Sequence, residues 1–128
     1  MKLLLDTHVF LWWVSDDRRL SRHARQVISN GENEVLLSAA SAWEMAIKSA
    51  IGKLPLPGDL ETFLEDQMDR NGIGALPILI KHAVRVRRLP NHHADPFDRL
   101  LIAQAQIEGL SLLTADRHIK QYDVSTVW

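Results

Sequence analysis

The chain has 128 residues, of which 46% are hydrophobic and 24% charged, with a formal net charge of −1. That length suits one domain over residues 1–128 and excludes two, and near-neutrality excludes binding to nucleic acid through the overall field, so any such binding needs a local patch. Cysteine is absent, which rules out disulfides and thiolate metal sites and suits a reducing cytosol. The N-terminal apolar run LLL stops at Asp6, far short of a signal peptide or a membrane span, so the expectation is a soluble, cytoplasmic protein with no membrane partner.

KLLL at residues 2–5 suits a short buried strand that breaks at Asp6, with Thr7 as the expected N-cap of a helix over HVFLWWV. Ser21 opens a second helix to Ser29, stopped by Asn30-Gly31. EVLLS at 34–38 reads as a second buried strand, and SAWEMAIKSAIGK as a helix ending near Gly52. Pro55 and Pro57 mark a loop, and Leu60, Phe63, Leu64 and Met68 stand at helical spacing within residues 59–70. GALPI at 74–78 is a third, shorter strand that Pro77 pushes to an edge or an end, and ILIKHAVRVRRL reads as helix. Asp95-Pro96 starts the clearest helix, FDRLLIAQAQIEG, which Gly109 stops. SLLTA at 111–115 and DVSTVW at 123–128 complete the strands. Strands alternating with helices imply a parallel sheet covered on both faces.

In such sheets sites form at the carboxyl ends of the strands. Asp6 follows the first strand, Asp116 follows SLLTA, Glu44 is expected in the first turn after the second strand, and Asp98 in the first turn of its own helix. With KLLL central, all four carboxylates converge on one edge. Two carboxylates ~5 Å apart repel by roughly 3 kcal/mol at an effective dielectric of ~20, so the cluster calls for a cation. Oxygen-only ligation suits Mg2+ or Mn2+, which can position a water and grip a phosphate, so phosphodiester hydrolysis is the natural chemistry.

Each acid also has a structural reading. Ser41-x-x-Glu44 is a capping box, Asp95 with Asp98 makes a good helix start, and Asp116 before Arg117 suits a turn. Asp6 is the hardest to explain structurally, because an acid ending a buried strand is costly unless it is used.

The ordered set of segments carries a resemblance. LLLDTHVFLW, SAASAWEMAIKSAIGKL, DPFDRLLIAQA and LLTAD resemble, in order and across nearly the whole chain, the four acid-bearing segments of PIN-domain nucleases, and DPFDRLLIAQA resembles the VapC-type toxin branch. The resemblance implies a three-layer α/β/α sandwich with a central, mainly parallel sheet, and an endoribonuclease that uses one or two Mg2+ or Mn2+ ions. It also implies an RNA substrate, a small cognate antitoxin and a homodimer. The carried-over acids are Asp6, Glu44, Asp98 and Asp116, with Thr7 and Thr114 at the hydroxyl positions beside them. Asp95 belongs to the DPFDR variant, as an N-cap first and a metal-shell residue second.

KHAVRVRRLPNHH at 81–93 gathers Lys81, Arg85, Arg87, Arg88 and three histidines, either a phosphate-holding patch or the solvated face of a helix. Arg99 is the better single candidate for a phosphate contact, or else pairs with an acid. His92 and His93 read as loop residues rather than zinc ligands. Adjacent Trp12 and Trp13 cannot both face the core, and Trp43 is expected to pack against the sheet. A haloacid-dehalogenase phosphatase needs an acid where His8 stands, and a receiver domain needs one where Ser38 ends its strand. The remaining alternative is a non-catalytic PIN-like module that binds RNA or protein.

Overall fold

The computed structural model describes residues 1–128. Five strands form one sheet: β1 (Lys2–Leu5), β2 (Glu34–Ser38), β3 (Ile73–Leu76), β4 (Ser111–Leu113) and β5 (Thr126–Val127). Their order is β3-β2-β1-β4-β5 and every pairing is parallel, so β1 is central. The helices are α1 (Thr7–Val14), α2 (Arg22–Ser29), α3 (Ala39–Ala50), α4 (Leu60–Asn71), α5 (Ile80–Arg85) and α6 (Pro96–Glu108).

Alternation along β1 divides the core. Leu3 and Leu5 join Val9, Phe10, Val27 and Met45 on one face, where Leu60, Leu64 and Met68 of α4 also pack. Leu4 faces the opposite way, onto Leu101, Ile102 and Ala105 of α6. Helices on both faces of a parallel sheet make the three-layer α/β/α sandwich. No helix is long and apolar enough to cross a membrane.

Several elements are shorter than the sequence suggests. Asp6 is the N-cap of α1, accepting from the His8 amide at 3.1 Å, and Thr7 is the first helical residue. The helix expected over 78–89 is interrupted: α5 ends at Arg85 and a tighter 3₁₀ turn covers Val86–Arg88. β3 starts at Ile73 and ends at Leu76, just before Pro77. The last strand shrinks to two residues, because only the tail end of DVSTVW reaches the short β4. Gly109 sits at φ 67° and closes α6 as the left-handed C-cap expected of it.

The topology fixes the site. From β1 the chain builds outward through β2 to β3, then crosses to the other side of β1 to lay down β4 and β5. The reversal lies between β1 and β4, and the crevice beyond their carboxyl ends is where ligands enter open parallel sheets. Asp6 and Asp116 flank that crevice.

Candidate active site

Asp6 is held from two sides. Its Oδ1 caps α1, and its Oδ2 accepts from the Thr114 hydroxyl at 2.6 Å. Thr114 Oγ1 in turn accepts from the Asp116 amide at 3.0 Å, so one hydroxyl sets the second acid relative to the first. Burial raises the Asp6 carboxyl above its ordinary range, against the opposing pull of the Thr114 and His8 bonds.

α6 runs back along the sheet, so its N-terminus meets the same edge. Asp95 is the N-cap and accepts from the amides of Phe97 at 2.9 Å and Asp98 at 3.0 Å. Asp98 follows in the first turn. Its carboxyl is pushed up to about 8, first by burial and then by the charges of Asp95, Asp6, Asp116 and Glu44. The acids therefore share one electrostatic neighbourhood.

Glu44 arrives differently from expectation. Ser38, not Ser41, caps α3, accepting from the Ala40 amide at 2.9 Å, so Glu44 lies in the second helical turn and the Ser41-x-x-Glu44 capping box does not form. Ser41 instead receives the Thr7 hydroxyl at 2.8 Å. That bond ties α1 to α3 and commits the Thr7 hydroxyl proton to Ser41 rather than to a carboxylate. Glu44 is buried and paired with the ammonium of Lys48 one turn on. The bond to Glu44 pushes the Lys48 pKa up, and the charges of Glu44, Asp95 and Asp98 add to it.

Two groups that the sequence did not assign to the site belong beside it. Lys48 was legible as the i,i+4 partner of Glu44. His93 stood in a stretch read as loop, yet its Nε2 lies 3.2 Å from Asp98 Oδ2 while its Nδ1 meets the Tyr122 hydroxyl at 2.8 Å. The His93 ring also stacks on His118 at 5.5 Å. Burial lowers its pKa, against the charges of Asp116 and Asp95. A histidine five residues before a candidate ligand is the signal, but only the fold of the 86–95 loop brings the two together.

Several side chains make contacts that the sequence did not specify. Arg99 pairs with no acid: it donates to the carbonyls of Pro90 at 2.8 Å, Val86 at 3.3 Å and Leu89 at 3.4 Å, and to the Tyr122 hydroxyl at 2.9 Å. The 81–93 segment does not present one cationic face. Lys81 and His82 both reach Glu108, with His82 fully buried, while Arg85 and Arg88 line a shallow cleft with Lys81. Trp43 is 55% exposed and leans edge-on against Phe97 at 5.1 Å rather than on the sheet. Trp12 and Trp13 are both half-buried, the latter donating to Asn71 Oδ1 at 3.0 Å.

The donor set has the hard-oxygen chemistry of a Mg2+ or Mn2+ site. No three of the acids and histidines close around one point as a finished cage. An open arrangement fits Mg2+, which keeps several waters and uses one or two carboxylates alongside substrate phosphate.

A family model described as the PIN domain matches residues 3–125. The chain belongs to the PIN-domain family. Among curated relatives of this PIN domain, ribonuclease VapC22 of Mycobacterium tuberculosis is 31% identical over 122 residues, covering 94% of this chain and 91% of its own. Ribonuclease VapC16 of the same organism is 41% identical over 64 residues, covering 50% of this chain and 44% of its own. The sandwich recurs in VapBC2 from Rickettsia felis bound to a promoter DNA fragment, with TM-score 0.72, 14% identity and coverage of 99% and 98% of the two chains. It recurs also in VapBC-1 from Haemophilus influenzae, with TM-score 0.71, 16% identity and coverage of 99% and 97%. These similarities identify a VapC-type PIN domain, a branch of ribonucleases.

Proposed function

We propose that this PIN domain, acting as one unit over residues 1–128, is a Mg2+- or Mn2+-dependent endoribonuclease and the toxin of a toxin–antitoxin pair. One observation supports the metal reading: Asp98 is driven to about 8 by burial and by the charges of Asp95, Asp6, Asp116 and Glu44, a crowding of carboxylates that either a proton or a bound cation relieves. Asp6, Asp98 and Asp116 are the proposed ligands, with Glu44 as the fourth carboxylate and Asp95 behind Asp98 as its cap. An ion or ion pair held there would supply the charge that draws in the scissile phosphate, activates water and steadies the leaving oxygen.

The chain's own groups prepare that chemistry. Thr114 directs Asp6 and Asp116 toward the same crevice. His93, braced by Tyr122, fixes the orientation of Asp98. Lys48 pairs with the buried Glu44 carboxylate from the next turn of α3.

The antitoxin reading draws on the VapBC complexes that share the fold. The homodimer reading draws on the α3 surface, where Trp43, Ile47 and Ile51 stand exposed one turn apart, and on exposed Ile80 and Val84 of α5. Mass in solution by light scattering tests it.

The test of the activity is incubation of purified protein, freed of any bound partner, with a pool of structured and single-stranded RNA in Mg2+, Mn2+ or EDTA, with Asp98→Asn alongside. Cleavage that needs metal and disappears in the variant is expected. Cleavage that survives both EDTA and the substitution would overturn the mechanism.

A further inference from the structure

One side of the acid crevice is not acidic. A cavity of about 350 Å³ is lined by Asp6 and Asp116 together with His8, Trp12, Arg19 and Ala115. His8, Trp12 and Arg19 also line a second cavity of about 510 Å³, whose far wall is the apolar surface of Leu54, Pro55 and Phe63. The two spaces therefore share a wall of His8, Trp12 and Arg19, with the carboxylates Asp6 and Asp116 on one side of it and the apolar pocket on the other. Both volumes lie within the roughly 300–1,000 Å³ range of small-ligand clefts.

Arg19 is pre-positioned on this wall. Its Nε and Nη2 donate to the two oxygens of Asp17 at 3.1 and 2.8 Å, and its guanidinium lies 5.2 Å from the centre of the Trp12 ring. These bonds use one edge of the guanidinium, while the side chain remains 69% exposed. A planar fork fixed on one edge and one face, with its other edge free, is suited to grip phosphate at small entropic cost.

We propose that Arg19, held by Asp17 and Trp12, forms with the adjoining apolar pocket a subsite for the nucleotide next to the cut. Its backbone phosphate sits on Arg19 and its unpaired base lies in the pocket. The subsite rests on the nuclease reading above. Acid, cation and apolar wall follow one another in the same order as scissile phosphate, next phosphate and base along a single strand. An apolar pocket accepts a base only when it is unstacked, so the ligand is single-stranded RNA.

The test measures binding of a fluorescein-labelled single-stranded oligoribonucleotide, and of its annealed duplex, to Asp98→Asn protein in Mg2+ across a salt series. Adding Arg19→Gln is expected to weaken single-strand binding about tenfold and to lower the slope of log affinity against log salt by about 0.7, the share of one phosphate contact. Arg70→Gln, an equal change of charge on the exposed surface of α4, leaves both unchanged. The duplex binds at least about tenfold more weakly than the single strand. Wild-type affinity and slope in Arg19→Gln, or equal binding of duplex, would overturn the subsite while metal-dependent cleavage by the wild-type protein still stood. Absence of both cleavage and binding in the wild-type protein would instead remove the nuclease reading and the subsite with it.

Discussion

The hydroxyl of Thr114 and the carboxylate of Asp6, 108 positions apart in sequence, meet at 2.6 Å across the β1–β4 crevice. The same oxygen accepts from the Asp116 amide, so a single side chain couples the ends of two neighbouring strands. Both Asp6 and Thr114 are buried, and water does not replace a lost partner freely. Thr114→Val keeps the shape and deletes the donor. It is expected to cost about 1–3 kcal/mol in urea unfolding, the penalty of an unsatisfied buried acceptor, and to lower cleavage about tenfold. Thr114→Ser restores both. A valine variant as stable and active as the wild-type protein would show that Asp6 is oriented by other contacts.

Asp98 gives the metal-free protein a defined pH dependence. Its folded pKa of about 8 lies far above the ordinary carboxylate value, so the folded chain keeps a proton that the unfolded chain has released. The stability this contributes is fully present below the unfolded pKa, near 4, and is lost as pH rises through about 8. In EDTA, Tm is therefore expected to fall from about pH 5 to about pH 8.5, and Asp98→Asn to flatten that fall. Mg2+ binding near neutral pH is expected to release protons, read by calorimetry in buffers of different ionisation enthalpy. Parallel pH profiles for the two proteins would contradict the assignment.

The fold was legible wherever a residue's local chemistry and its tertiary use agree. KLLL, EVLLS and SLLTA are apolar because both faces of a parallel sheet are covered, and Asp95-Pro96 with Gly109 mark helix ends that packing did not move. The four acids could be placed on one edge because strand ends and helix starts are local features. What failed depends on contacts between distant segments. Ser41 fits a capping box by spacing, but Ser38 reaches the helix start first and leaves Ser41 to Thr7. Trp43 has no sheet to pack on, because its side of α3 faces Phe97 and solvent. His93 joins Asp98 only because the 86–95 loop folds back over the start of α6, a path that no periodicity encodes.

That loop path depends on Arg99. Its guanidinium gathers three backbone carbonyls and the Tyr122 hydroxyl, which fastens residues 86–90 to α6 and positions the same tyrosine that braces His93. A lysine ammonium is a point charge and cannot span those acceptors. Arg99→Lys is expected to lose about 1–3 kcal/mol of stability, with the salt dependence of RNA binding unchanged. Unchanged stability with a shallower salt slope would instead support Arg99 as a phosphate contact.

Lys48 offers a way to separate structural charge balance from metal binding. Its ammonium is paired with Glu44, whose side chain is only 4% exposed, and it also feels the charges of Asp95 and Asp98. Without a divalent ion it is the cation nearest to Glu44 in the cluster. Lys48→Met keeps the aliphatic stem and deletes the charge. In EDTA the variant is expected to be less stable by a few kcal/mol, since a buried carboxylate loses its partner, with the loss reduced by the partial exposure of the lysine. Added Mg2+ then replaces the missing charge, so the rise in Tm on adding Mg2+ is expected to be larger in the variant than in the wild-type protein. Equal rises in the two proteins would mean that Glu44 and its lysine stand apart from the ion, leaving Asp6, Asp98 and Asp116 as the metal-binding acids.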